Sequence, residues 1–255
     1  MSVIRTDEWL LHDYEDPVGM CGQLTEHFPG ASASEIYDYL VRHGMYRPLK
    51  KRGEQLLDQK VWEIVKQDEA FLQKEWGGPD IPIFIFPSDV HNEWLQAQLG
   101  GKSGLAFGDK LFLFISPKNT EEEIKAIFTH EYNHVCRLNH FDKKEGMYTL
   151  LDTIVLEGIA ENAVRERLGE ELTASWASFY SDKEIAKMWA DYILPKRRLL
   201  REEQEFQAIL FGHRKYPKML GYCAGYHVVK RYMERNSLSS KDLLPVEADV
   251  IAGGN

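Results

Sequence analysis

Between Thr120 and Asn139 the chain reads TEEEIKAIFTHEYNHVCRLN, and the run His130-Glu131-Tyr132-Asn133-His134 inside it limits what the fold can be. Thr120 with Glu123 forms a capping box, and Glu121, Glu122 and Glu123 place negative charge at the positive end of a helix dipole, so a helix starts near Thr120. Ile124, Ile127, Phe128, Val135 and Leu138 recur at helical spacing and give this helix an apolar face, on which His130, Glu131 and His134 also fall. Two imidazoles four residues apart on a helix point the same way and can share one Zn²⁺. The glutamate one step after the first histidine then sits beside the metal's open position. The competing reading is a pair of histidines hydrogen-bonded in a helical core.

A second stretch, LLDTIVLEGIAENAVRERL from Leu150 to Leu168, favours the metal. Leu150, Ile154, Val164 and Leu168 define a buried stripe, and Glu157 and Glu161 share it. A carboxylate on an apolar face is costly unless it is paired or bound to a metal. A zinc site with two histidines takes a third protein ligand, commonly a glutamate from a following helix, and leaves the fourth position to water. Glu157 fits that role, and Glu161, one turn on, fits a carboxylate that orients a ligating histidine. Gly158 and Ala160 are expected to let this helix approach the first one closely. The rival third ligand, His140 in the connecting NHFDKKEGM, would have to fold back onto its own helix end.

HEYNH followed by LEGIAE resembles the gluzincin metallopeptidases, the thermolysin-like clan in which a glutamate ligand follows on the next helix. With GYCAGYHVVKRY near the end, the chain is similar, more narrowly, to the YjaZ-like family of predicted zinc-dependent proteases, most strongly from about Ile81 to Met233. The resemblance implies His130, His134 and Glu157 as zinc ligands, Glu131 as general base, and a peptide or protein substrate. The gap between His134 and Glu157 is a little longer than in thermolysin-like enzymes. The resemblance also implies a late tyrosine that stabilises the oxyanion on the attacked carbonyl. Tyr222 is the first choice, Tyr226 the second and His227 the third. Peptidases of this clan hold an extended substrate against a sheet edge, which makes Ala106 and Phe107 the candidates for substrate binding.

These features predict an α+β, mostly helical fold of the zincin type, with a small sheet before the metal helix. IPIFIFP is one strand; GLAF and KLFLFIS, separated by Gly108 and Asp109, are a hairpin. Residues 1–78 read as a helical amino-terminal region and 79–255 as the catalytic region, the two forming one compact unit. Within them, residues 1 to about 30 read as irregular, helices are expected near 32–44 and 53–76, and the tail from Ser237 is expected to fray.

A chain of 255 residues with 44% apolar content can bury a substantial core. The net charge of −9 with interleaved basic residues, apart from short clusters such as Arg47 to Arg52 and Lys196 to Arg201, argues against a nucleic-acid partner. Three dispersed cysteines, Cys21, Cys136 and Cys223, read as buried thiols of a reducing compartment. No signal-peptide pattern and no apolar run long enough for a membrane span occur, so a cytoplasmic location is expected. Two alternatives stay open: a zincin scaffold that binds or regulates without proteolysis, and a zinc hydrolase acting on non-peptide amides.

Overall fold

The computed structural model describes residues 2–48 and 57–253, so the expected helix start near Gly53 lies outside the described residues. Packing divides the chain into two compact units, Met1–Val135 and Cys136–Asn255.

The first unit is built on β1 (Ile83–Pro87), β2 (Ser103–Ala106) and β3 (Leu111–Ile115), in the order β1-β3-β2. β1 pairs in parallel with β3, Ile83 opposite Leu111, and β2 pairs antiparallel with β3, Ser103 opposite Phe114. Every residue of β1 and β3 is buried, which explains why IFIFP and LFLFI are continuous apolar runs without alternation. Phe84 and Phe112 stack across the parallel pair at 4.9 Å. The unit also contains α1 (Thr6–Asp13), which packs on β1, and α2 (Pro17–Cys21), α3 (Ala33–Arg42), α4 (Lys60–Trp76) and α5 (Glu93–Leu99).

The amino-terminal segment is therefore ordered, contrary to the irregular expectation. Asp16 caps α2 by accepting from the Gly19 amide, and Pro17 occupies a first-turn position where its missing N–H is harmless. Trp9 of α1 packs on Phe84 and Phe86.

Helix α6 (Glu121–Leu138) carries the HEYNH run. It starts where the capping box predicts: the Thr120 amide donates to Glu123 Oε2 (2.9 Å) and the Glu123 amide to Thr120 Oγ1 (3.2 Å). Tyr132, fully buried, donates its hydroxyl to the Pro79 carbonyl at 2.9 Å and stacks on Phe128 and Trp76.

In the second unit α7 (Leu150–Leu168) pairs with α10 (Leu220–Asn236). A second capping box, Thr149 with Asp152, opens α7. The carbonyls of Leu199 and Arg197 take the Leu150 and Leu151 amides, satisfying donors that a helix start leaves orphaned. Gly158 serves this pairing: a Cβ there would come within 3.0 Å of the Gly225 carbonyl on α10. The small residue thus admits α10, where close approach to the HEYNH helix was expected. Asn162 Nδ2 ties the pair further, donating to the carbonyls of Gly158 (2.8 Å) and Tyr226 (3.0 Å).

The segment from Gly169 to Phe211 is broken into short pieces. It contains short 3₁₀ turns, α8 (Asp182–Met188), a π-helical turn at Trp189–Ile193, and α9 (Gln204–Phe211). The tail does not fray within the described residues. Leu243 and Leu244 are buried, α11 (Ala248–Gly253) follows, and the buried Arg137 guanidinium donates to the carbonyls of Leu243 (2.8 Å), Leu244 (3.1 Å) and Val246 (2.9 Å).

Candidate metal centre

His130 and His134 stand one turn apart on α6, their rings 4.6 Å apart between centroids and nearly perpendicular. One ligand atom from each of His130, His134 and Glu157 lies within 4.8 Å of the others. Two imidazoles and one carboxylate match the donor preference of Zn²⁺ and leave a fourth position open. The residues present fit that ion.

Glu131 is 7% exposed. Its side chain lies directly on the backbone of β2, where a Cβ at Gly104 would meet Glu131 Cγ, Cδ and Oε1 at under 3.0 Å. Glu161 is 3% exposed, and one of its oxygens accepts from the Ala174 amide at 2.5 Å, so this carboxylate fixes the turn that follows α7.

The remaining sequence candidates fall as follows. His140 is exposed beyond the end of α6 and is not in the ligand group. Tyr222 and Tyr226 both lie on α10. The Tyr222 ring packs on Trp176 and Phe211 at 5.3 and 5.4 Å, while Tyr226 is buried with the Lys230 ammonium over its ring. Burial raises the Tyr226 phenol above its ordinary pKa, so the hydroxyl keeps its proton and stays a donor at neutral pH. His227 Nδ1 is 2.7 Å from Asp182 Oδ1 and Nε2 is 3.2 Å from the Ala177 carbonyl, which occupies both nitrogens with structural partners. Ala106 ends β2; Phe107 donates its amide to the Lys110 carbonyl and packs its ring against Phe28, Phe112 and the Lys110 ammonium.

Two residues here lie outside the candidates drawn from the sequence. The sequence places Gly104 in a strand, and a glycine inside a strand run is itself a signal of close backbone approach. Asp152 completes a T-x-x-D cap that the same rule used for Thr120 would have found.

The family model described as "Predicted Zn-dependent protease (DUF2268)" matches residues 61–253. The chain is 37% identical over 259 residues to the uncharacterized protein YjaZ of Bacillus subtilis (strain 168), covering 98% of this chain and 97% of the relative. It is 22% identical over 183 residues to the uncharacterized protein YjfC of the same organism, covering 68% of this chain and 60% of that relative. No solved structure matches. With three quarters of its length matched by the family model and nearly all of it aligned to YjaZ, the chain belongs to the family of predicted zinc-dependent proteases.

Proposed function

We propose that the protein is a zinc-dependent peptidase that hydrolyses peptide bonds, with His130, His134 and Glu157 holding the metal. The observation that carries this reading is the convergence of those three ligand atoms within 4.8 Å, two of them flanking a buried glutamate on the same helix. When bound, zinc supplies the Lewis acidity that activates water and polarises the scissile carbonyl.

The protein's own groups do the rest. Glu131 accepts the proton of the attacking water and passes it to the leaving amine, a general acid–base role suited to a carboxylate held against a backbone wall. A neutral tyrosine hydroxyl donates to the oxyanion, with Tyr222 the first choice and Tyr226 the second. Glu161 accepts from the Ala174 amide, and its proposed role at the site is to orient a ligating histidine. β2 pairs with β3 on one side, and in the order β1-β3-β2 its other side is the sheet edge. An extended substrate can add there as a strand, taking main-chain bonds at Ala106 and beside Phe107.

The deciding experiment is metal analysis of the purified protein beside His134→Ala and Glu157→Gln, followed by digestion of a mixed peptide library read by mass spectrometry. About one zinc per chain, lost in both variants, with cleavage of amide bonds between residues, supports the proposal. Zinc without peptide cleavage points to a scaffold that binds and does not cut, and release of a non-peptide acyl group from model amides points to another amidohydrolase. No zinc in any of the three proteins removes the reading altogether.

A further inference from the structure

The contact between Gly104 and Glu131 has no role in the ligand set, yet it is a demanding one. Gly104 is the second residue of β2, paired with Leu113 of β3, and lies in extended backbone open to any amino acid. Conformation therefore does not call for glycine at this position. Strand positions favour a side chain, because glycine carries extra unfolded-state entropy and adds nothing to packing.

What requires glycine is Glu131. A methyl group at 104 would meet Glu131 Cγ, Cδ and Oε1, all at under 3.0 Å. The nearest of these atoms is Cγ, the methylene that carries the carboxylate, so a small swing of the carboxylate tip would not relieve the overlap. Glu131 would have to leave its rotamer, and at 7% exposure it has little room for another.

We infer that Gly104 is a positioning residue for the general base: the bare backbone of β2 forms the wall that sets the direction of the Glu131 carboxylate. The inference deepens the peptidase reading, on which its catalytic half rests; its structural half stands without it. A side chain at 104 displaces the base while the two histidines, which project from other positions of α6, keep their places.

The test is a cycle of four proteins: the parent, Gly104→Ala, Glu131→Ala, and both together. Thermal melts are recorded with and without added zinc, and turnover is measured on a cleaved peptide. In the parent, Gly104→Ala lowers the melting temperature by several degrees, because the methyl group and Glu131 compete for one space. In the Glu131→Ala background the same change is neutral or raises it by about 2 °C, as alanine for glycine does where the backbone permits. An equal loss in both backgrounds overturns the inference, since the two positions are then uncoupled. For turnover, Gly104→Ala retains zinc stoichiometry and KM within about twofold and loses about 100-fold in kcat. Parent-like kcat with coupled melts means that Gly104 shapes the site without orienting the base, and the positioning role falls. If no peptide is cleaved by the parent, the peptidase reading fails while the melting cycle still decides the Gly104–Glu131 coupling.

Discussion

Gly158 of α7 and Gly225 of α10 meet backbone to backbone: a Cβ at 158 would press on the Gly225 carbonyl, and one at 225 on the Ile154 carbonyl, both at under 3.0 Å. Backbone cannot step aside as a flexible side chain can, so the helix that carries Glu157 depends on two missing methyl groups. Gly158→Ala should lower stability by roughly 2–3 kcal/mol, although alanine is the better helix former by about 1 kcal/mol. Urea denaturation measures it, with Gly146→Ala as control because a Cβ there meets nothing within 4 Å. A neutral Gly158→Ala would show that α7 and α10 can separate slightly without loss.

Glu131→Gln keeps the shape of the side chain and removes its ability to take a proton. Zinc content should stay at the parent level while turnover falls by about 10²–10⁴-fold. Metal analysis and a peptide assay on the same preparation check both halves, and an active, zinc-loaded variant would reassign the base.

Metal removal should be visible in stability as well as in activity. An ion held by three residues of the folded chain stabilises it by about 2.7 kcal/mol at a hundredfold excess over its dissociation constant. For a chain of this length that is about 5–10 °C in melting temperature. The shift should vanish with a chelator and be absent in His134→Ala, as differential scanning calorimetry would record.

Asp152 gives a prediction in pH. Burial pushes its carboxyl up, but the Lys143 ammonium at 2.6 Å and the hydroxyl and amide of Thr149, each at 2.7 Å, outweigh burial and hold it below the ordinary 3.8. A carboxylate whose pKa is lower folded than unfolded stabilises the protein fully above its unfolded value and loses that contribution as pH falls through the folded one. Asp152→Asn should cost roughly 1–2 kcal/mol at pH 7 and flatten the acid side of the stability profile below about pH 4. Parallel profiles for the two proteins, measured by urea titration from pH 2 to 7, would contradict this.

Arg137 is buried with three backbone carbonyls as hydrogen-bond partners, and desolvation brings its guanidinium down to about 10, which leaves it charged at neutral pH. Arg137→Met should leave those carbonyls unsatisfied and cost roughly 2–4 kcal/mol. Amide hydrogen exchange should accelerate first across residues 239–253. Unchanged protection there would mean that the tail is held by Leu243 and Leu244 alone.

The grouping of His130, His134 and Glu157 was legible because histidine and glutamate at helical spacing are themselves the signal, and α6 and α7 were legible because caps and apolar periodicity are local signals. The hairpin was legible through Gly108 and Asp109. What stayed hidden depends on distant partners. The parallel pairing of β1 with β3 joins residues 28 positions apart, Ile83 with Leu111, and nothing in either run specifies it. The hydrogen bonds from Arg137 to the tail join positions about a hundred residues apart, and nothing in the tail's own sequence announces them. The partner of Gly158 could not be read because a glycine announces a close approach without saying to what.

The three thiols carry a practical consequence. Cys21 and Cys223 are buried, and burial pushes each up to about 12, so at neutral pH neither presents a reactive thiolate while its surroundings are closed. Cys136 is buried as well. Cys21 belongs to the first packing unit, Cys136 and Cys223 to the second. Alkylation by a thiol reagent therefore times the opening of each unit separately, with no label introduced, and the sulfur that reacts first names the half of the chain that opens first.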